Sequence, residues 1–219
     1  MAKIITAAEA ADLIRDGMTL GVSGFGAFAS PDYVMEAMSR KFKEQNTPRD
    51  LTIVSGVAPG DFVEDGCGLS KIKDEGIIKT LIASHLRMSP AIGRACSENK
   101  IAAFSMPLGV YGQLMNAIGS KRPGIITHVG LNTYADPRQD GCKMNALAKA
   151  DGRELVELIH VSGKDYLFYK AFHIDACILH GGIEVDAAVH HAVVGDGTGG
   201  HAKRLDALDE LWNAARAVQ

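Results

Sequence analysis

The chain has 219 residues, of which 47% are hydrophobic and 22% are charged, and its formal net charge is −3. This composition excludes a disordered tail, a collagen-like repeat and a coiled coil, because the abundant apolar residues show no heptad order. The near-neutral charge also argues against a nucleic-acid partner, since counterion release requires a basic surface.

No segment predicts insertion into a membrane or export. The longest apolar runs are strand-sized, well short of the roughly 20 residues that cross a bilayer. Residues 1–6 have no apolar core of a secretory signal, so the predicted location is the cytoplasm. The 24 glycines and the 6% share of aromatic residues indicate many tight turns, which favours an α/β protein over a helical bundle.

Helix and strand patterns alternate along the first 130 residues. Thr6 and Glu9 have capping-box spacing, which predicts a first helix from Ala7 to Ile14. Apolar strands are then predicted at 18–22, 51–57, 77–83, 101–104 and 125–129, with helices at 32–44, 90–98 and 108–118. Strands separated by helices indicate parallel crossovers, so the expected fold is α/β, an open and mostly parallel sheet with helices on both faces.

The pattern changes after Gly130. Residues 131–150 are polar and irregular, as long functional loops often are. Three more strands are predicted at 155–160, 166–172 and 175–180. The chain closes with a predicted amphipathic helix that packs on its own domain or binds a partner; its apolar stripe is Leu205, Leu208, Leu211, Trp212 and Ala215.

Cysteine and histidine spacing gives little support for a metal site. The four cysteines form no CxxC pair, so we interpret them as reduced thiols that pack as small hydrophobic side chains. His173, Cys177 and His180 have metal-like spacing on a helix, but the sequence between them predicts a strand. A strand sends His180 to the face opposite the other two, so no bound metal is expected.

Ligands of open α/β sheets bind outside the carboxyl ends of the strands, which directs attention to the loop after the first strand. Gly24, Phe25 and Gly26 lie there, and their backbone N–H groups can hold a phosphate or a developing oxyanion. The glycines are alternatively only conformational, and Phe25 is alternatively a core residue. The glycine spacing from Gly21 is the reverse of the dinucleotide fingerprint, which disfavours a nucleotide-binding oxidoreductase.

Ordered motifs stand at residues 16–19 (Asp-Gly-Met-Thr), 23–25 (Ser-Gly-Phe), 136–141 (Asp-Pro-Arg-Gln-Asp-Gly) and 143–145 (Lys-Met-Asn). Together they resemble the motifs of the family I coenzyme A transferases, in the branch that acts on acetate, propionate or other short acyl groups. The resemblance covers residues 1–182 and implies the alpha-type, amino-terminal domain of that family, followed by a divergent tail at 183–219. Ser23 and Ala29 stand where the family usually has glycine, so a positive φ would strain them.

The resemblance implies a ping-pong reaction through a glutamyl-CoA thioester, with coenzyme A as co-substrate and no other cofactor. The nucleophilic glutamate belongs to a Ser-Glu-Asn-Gly-type motif in the second half of the family. Residues 97–100 (Ser-Glu-Asn-Lys) imitate that motif but lack its glycine, and we interpret Glu98 as a solvated helix-end residue. The nucleophile is therefore expected on a missing second half or a partner chain.

By this resemblance the chain supplies part of the pocket wall. Gly24, Phe25 and Gly26 are expected to face the acyl group, with Phe25 limiting its size. Gln113 is expected to offer an amide N–H near the reacting carbonyl, or else to be a helix-surface residue; the remaining candidates are Gly130 and Asn132. The first hypothesis is thus an oligomeric acyl-CoA:carboxylate CoA-transferase whose isolated half is inactive. The alternative is a catalytically silent remnant or an acyl-CoA-binding module.

Overall fold

The computed structural model describes residues 4–183 and 189–195. Five α-helices lie in these residues: α1 (Ala7–Leu13), α2 (Asp32–Gln45), α3 (Pro90–Ser97), α4 (Leu108–Gly119) and α5 (Ala146–Ala150). The strands there are β1 (Thr19–Val22), β2 (Leu51–Ser55), β3 (Ile78–Ala83), β4 (Ala102–Ser105), β5 (Gly124–Thr127), β6 (Val156–Val161), β7 (Lys164–Lys170), β8 (Ala176–Ile183) and β9 (Val189–Gly195). The predicted amphipathic helix at 205–215 lies outside the described residues.

A six-stranded sheet with the order β4-β3-β2-β1-β8-β9 forms the centre of the fold. Its first five strands run parallel, and β9 pairs antiparallel with β8. Every residue of β2 and of β4 is buried, as expected for parallel strands covered on both faces. The predicted α/β class and mostly parallel sheet are confirmed.

Alternate residues of the central strands face two separate cores. Ile53 and Leu81 pack in the core formed with α1, α2 and α3, whereas Val54 and Ile82 pack in the core formed with α4 and α5. Helices therefore cover both faces of the sheet, and the burial of apolar side chains stabilises the packing of each helical layer against it.

Local sequence signals fix the start of the first helix. The backbone N–H of Glu9 donates to the Thr6 hydroxyl at 3.2 Å, and the backbone N–H of Thr6 donates to the Glu9 carboxylate at 2.8 Å. This reciprocal capping box satisfies two N–H groups at the helix end. The helix ends at Leu13, one residue earlier than predicted.

The strand after α4 is the main departure from the expected topology. β5 does not join the parallel sheet, but forms a second, antiparallel sheet with the order β5-β7-β6. The residues of β5 are only partly buried or exposed, unlike those of β2 and β4 in the central sheet. One face of this second sheet buries Leu167 and Tyr169 in the same core as α4. The second sheet thereby serves as part of the layer that covers one face of the central sheet.

The edge strand β4 is covered by an irregular segment. Ser105 donates its backbone N–H to the carbonyl of Cys142 at 2.8 Å, and Met144 donates to the carbonyl of Ala103 at 2.8 Å. This pairing protects the strand edge from association with another chain. No helix of the described residues is long and apolar enough to cross a membrane.

Candidate functional site

The loops that follow β1, β2 and β3 meet at one edge of the central sheet. Gly60 donates its backbone N–H to the carbonyl of Gly26 at 3.0 Å, which joins the first two loops. Ala58 donates to the carbonyl of His85 at 2.8 Å, and Phe62 donates to that of Met88 at 2.9 Å, which joins the second loop to the third. These bonds hold three loops in fixed positions at the carboxyl ends of parallel strands, where such sheets bind ligands.

The loop after β1 is a tight turn that needs its glycines. Gly24 has φ +130°, and a Cβ there would lie 2.8 Å from the Cβ of Pro59; Gly26 has φ +61°. Phe25 and Phe28 exchange backbone hydrogen bonds of 2.9 and 3.1 Å across the turn. The N–H of Phe25 is therefore already used, and the N–H groups of Gly24 and Gly26 are the remaining candidates for an oxyanion among these three.

The side chain of Phe25 is 60% exposed, which excludes the interpretation of Phe25 as a core residue. Phe28 is 79% exposed beside it. An exposed aromatic ring next to a glycine turn can contact a ligand or a second chain.

The two departures from the family pattern behave differently. Ser23 keeps an ordinary φ, and its hydroxyl donates to the carbonyl of Ala29 at 2.8 Å and accepts the backbone N–H of His180 at 2.9 Å. Ala29 has φ +53°, in the left-handed region that is unfavourable for a residue with a Cβ. The Ser23 hydroxyl thus joins the start and the end of the turn to β8. These bonds hold Ala29 in its unfavourable left-handed backbone conformation.

We expect Ser23→Ala to lower the free energy of unfolding by about 1–2 kcal/mol, because it removes the two hydrogen bonds that the Ser23 hydroxyl forms with the carbonyl of Ala29 and the N–H of His180. Ala29→Gly is the companion variant. It is expected to raise the free energy of unfolding by about 0.5–1 kcal/mol, because glycine adopts a positive φ without strain. Urea unfolding measures both, and amide hydrogen exchange at Phe28 should accelerate only in Ser23→Ala. Equal stability of Ser23→Ala and the unmodified chain would contradict a fastening role.

The other candidate residues lie on different elements. Gln113 is exposed on α4. Gly130, with φ +100°, and Asn132, with φ +60°, lie in the turn that follows β5. A Cβ at Gly130 would lie 2.4 Å from the hydroxyl oxygen of Tyr169, so this turn rests directly on the second sheet. Within the described residues, no hydrogen bond or ion pair joins Gln113, Gly130 or Asn132 to the turn at 24–26.

A chain of polar contacts joins the ends of β3 and β4 to the residue after β2 and to the loop after β5. The Ser105 hydroxyl, at the end of β4, donates to the carbonyl of Ser84 at 3.3 Å and lies 3.4 Å from the hydroxyl of Tyr134. Ser84 in turn donates its backbone N–H to the carbonyl of Gly56 at 3.1 Å. The sequence analysis missed Ser84, Ser105 and Tyr134. In the sequence, the two serines could have been identified as polar residues at the end of a buried strand or directly after it.

Asp136 organises the long loop after β5. Its side chain is fully buried, and its carboxylate accepts the backbone N–H of Asn132 at 2.9 Å and that of Arg138 at 2.9 Å. The Arg138 guanidinium also donates to it, through Nη2 at 2.7 Å and Nε at 3.0 Å. The hydrogen bonds from Arg138 hold the pKa of the Asp136 carboxyl well below its usual range. Asp136 therefore fixes the left-handed backbone of Asn132.

No glutamate among the described residues is buried at this edge. Glu98 caps the carboxyl end of α3, is exposed, and lies 3.3 Å from Lys100. Glu64, in the loop after β2, pairs with Arg94, whose hydrogen bond lowers the pKa of the Glu64 carboxyl. Exposed, ion-paired carboxylates are poor nucleophiles, because strong solvation stabilises the charge that must attack.

The described thiols and imidazoles form no metal centre. No group of three potential ligand side chains lies together within residues 4–183. His173 is exposed and 3.1 Å from Asp175, while the Cys177 sulfur faces Gly21 of β1. Burial raises the pKa of the Cys96 thiol to about 11 and that of Cys142 to about 12, so both stay protonated and inert at neutral pH.

An α/β domain with glycine turns at the carboxyl edge of a parallel sheet is an architecture of ligand-binding proteins. The sequence model of the coenzyme A transferase family matches residues 4–197, and the chain belongs to that family. This confirms the resemblance to an alpha-type domain. The match extends past Gly182, so the boundary between residues 1–182 and the tail at 183–219 stays a prediction.

Relatives of the chain include whole CoA-transferases. The chain is 42% identical over 181 residues to the caffeate CoA-transferase of Acetobacterium woodii, covering 83% of this chain and 34% of that protein. It is 36% identical over 177 residues to the acetate CoA-transferase YdiF of Escherichia coli strain K12, covering 80% and 32%. The crystal structure of the Escherichia coli O157:H7 acyl-CoA transferase (YdiF) apoenzyme superposes with a TM-score of 0.74 at 35% identity, covering 80% and 33%. The chain thus spans about a third of these relatives.

Proposed function

We propose that this chain forms the alpha-type side of the active site of a short-chain acyl-CoA:carboxylate CoA-transferase. The observation that carries the proposal is the family match over residues 4–197, together with the interlocked glycine turn at the carboxyl edge of the sheet. Relatives that are named for acetate and for caffeate support a carboxylate as the CoA acceptor. The proposed substrates are acyl-CoA and acetate or a similar small carboxylate.

The reaction needs donors for a developing negative charge. A glutamate carboxylate attacks the thioester carbonyl, the CoA thiolate leaves, and a mixed anhydride forms. The thiolate then attacks the glutamyl carbonyl of the anhydride, releases the first carboxylate and leaves a glutamyl-CoA thioester, and the acceptor carboxylate reverses these steps. Each attack passes through a tetrahedral oxyanion, and one preorganised donor is typically worth about 3 kcal/mol.

The N–H groups of Gly24 and Gly26 are the proposed donors from this chain, with the Gln113 amide as a further candidate. Phe25 is proposed to contact the acyl group, because its ring is exposed directly beside the turn. Gly130 and Asn132 are proposed to complete the wall from the loop that Asp136 holds. The rigid turn keeps these groups in place before substrate arrives, which lowers the cost of organising the transition state.

The nucleophilic glutamate is proposed to come from a second part of the enzyme, on a partner chain or a following domain, in a Ser-Glu-Asn-Gly-type motif. Two observations support this. Every glutamate in residues 4–183 is at least partly solvent-accessible, and relatives named as alpha subunits are matched by this chain. The exposed Phe25 and Phe28 rings provide apolar surface for that second part, so an oligomer is proposed.

The test is transfer of CoA from acetyl-CoA to propionate by the purified chain, alone and mixed with a CoA-transferase half that carries the motif. Alone, the chain should be at least about a thousandfold slower than the mixture. The mixture should also produce a borohydride-sensitive thioester on the added half. The matched control is the same half with its motif glutamate replaced by glutamine, which should remain inactive. Turnover by the isolated chain would disprove an external nucleophile, and failure of every added half would favour the silent remnant.

A further inference from the structure

Ser89 stands directly before α3, at the position where a serine hydroxyl usually caps its own helix. Among the described residues, its hydroxyl forms no such cap. It donates instead to the carbonyl of Pro59, in the loop after β2, at 2.6 Å. Ser89 is fully buried, so water does not compete for this bond. The hydroxyl therefore stabilises the loop after β2 rather than the start of α3.

The peptide between Pro59 and Gly60 carries the effect of Ser89 to the turn after β1. Its oxygen accepts the Ser89 hydroxyl at 2.6 Å and the backbone N–H of Leu69 at 2.9 Å. Its N–H, which is that of Gly60, donates to the carbonyl of Gly26 at 3.0 Å. Donors at the oxygen of a peptide polarise it and strengthen the hydrogen bond that its N–H makes. Ser89 is thus coupled to Gly26 through a single peptide.

The same peptide is packed closely against the turn at 24–26. A Cβ at Gly24 would lie 2.8 Å from the Cβ of Pro59, so the Pro59 ring rests directly on that glycine. A Cβ at Gly60 would lie 2.5 Å from the Ser89 oxygen, so the other side of the peptide has no free space either. Any displacement of this peptide therefore displaces both Gly24 and Gly26.

We propose that Ser89 is a positioning residue for the transfer reaction, acting through the peptide between Pro59 and Gly60. This role rests on the proposed function, because it serves the N–H groups of Gly24 and Gly26 as oxyanion donors. Ser89 itself does not contact the substrate. A misplaced donor stabilises the tetrahedral oxyanion less and leaves the binding of the ground state unchanged. Loss of the Ser89 hydroxyl should therefore lower kcat without changing KM.

The test is transfer of CoA from acetyl-CoA to propionate by the full chain mixed with a half that carries the Ser-Glu-Asn-Gly-type motif. Ser89→Ala should lower kcat by about 10- to 100-fold and keep each KM within about twofold. Ser89→Cys keeps the size of the side chain with a weaker donor, so its kcat should be intermediate. The matched control is Ser97→Ala, which removes a hydroxyl-to-carbonyl bond of 3.0 Å within α3 and should leave kcat unchanged.

Amide hydrogen exchange of the full chain by itself gives a second readout that requires no added half. The N–H of Gly60 should exchange about 5- to 10-fold faster in Ser89→Ala than in the unmodified chain, because its peptide oxygen loses one donor. Ser97→Ala should leave this exchange rate unchanged. Melting curves check that every variant folds, and Ser89→Cys is the deciding variant in both measurements if Ser89→Ala does not fold.

A positioning role and a merely structural one give different results. A lower melting temperature with unchanged kcat, or an unchanged exchange rate at Gly60, would overturn the proposal. If the unmodified chain transfers CoA and Ser89→Ala has the same kcat, the positioning role is wrong and the CoA-transferase function stands. If no mixture with the unmodified chain transfers CoA, the proposed function fails, and the reaction that the two glycine donors would serve is lost with it.

Discussion

Gly68→Ala is expected to destabilise the chain by about 3 kcal/mol or more, because a new Cβ would overlap the backbone of a neighbouring loop. Gly68 has φ +69°, and a Cβ there would lie 2.0 Å from the carbonyl oxygen of Pro59. That oxygen already accepts the backbone N–H of Leu69 at 2.9 Å and the hydroxyl of Ser89 at 2.6 Å. Displacing Pro59 would break both bonds and shift the loop that touches Gly24 and Gly26.

Gly152→Ala is the matched control for this substitution. Gly152 has φ +76°, but a Cβ there would meet nothing within 4 Å. The control therefore carries the same left-handed backbone penalty, about 1 kcal/mol, without the collision. Urea unfolding at neutral pH measures both variants. Similar losses of stability in the two would show that the Pro59 contact is not the cause.

Asp136→Asn is expected to cost about 2–3 kcal/mol at pH 7. The amide keeps the shape of the side chain, but its NH₂ group would face the donors of Arg138, and the charge that Arg138 binds is lost. Because Asp136 is fully buried, water cannot replace these bonds. Asn132 should lose its left-handed backbone as the loop relaxes, which a change in amide hydrogen exchange at residues 130–138 would report.

The effect of Asp136→Asn should depend on pH in a defined direction. The pKa of Asp136 is lowered in the folded protein, so its stabilisation is complete above the ordinary carboxyl pKa of about 4. It is lost as the pH falls through the lower folded pKa, because the unfolded chain takes up the proton first. The stability difference between the variant and the unmodified chain should therefore narrow from pH 4 downwards, as measured by urea unfolding.

Asp165→Asn is the control for this pH dependence. Asp165 also pairs with Arg138, at 3.1 Å, and with His160, at 3.1 Å, but its side chain is 41% exposed. Solvent screens this pair, so the substitution should change stability little at any pH. If Asp165→Asn and Asp136→Asn behave alike in acid, the arginine rather than the buried carboxylate is the source of the effect.

The sequence predicts those elements whose signals are local. The capping box of Thr6 and Glu9 lies within four residues, and the run at 51–55 is apolar enough to be buried on both faces. The strand predicted at 125–129 is expected in the parallel sheet, but β5 joins the antiparallel one. A strand joins whichever sheet its apolar face and its pairing partners complete, and the partner of β5 is β7, about forty residues later in the chain.

The candidate site likewise has features that the sequence predicts and features that only the fold decides. The sequence correctly indicated a glycine turn after the first strand, since glycine is needed where a backbone must turn closely past another. It could not show that Phe25 is exposed, that its N–H is already used, or that Ser23 bonds to His180 across 157 residues. The wall residues Ser84, Ser105 and Tyr134 also escaped prediction, because a short polar side chain becomes part of a site only through its neighbours.

By itself the sequence determined the α/β class, the order of helices and strands up to α4, and the family, because apolar periodicity, caps and ordered motifs are properties of short segments. Only the tertiary structure decided which sheet each later strand joins, and which loops meet at the carboxyl edge. It also brought Ser84, Ser105 and Tyr134 together beside the ends of β3 and β4. Such groupings depend on contacts between residues distant in the chain, which pack according to the whole fold rather than to any local pattern.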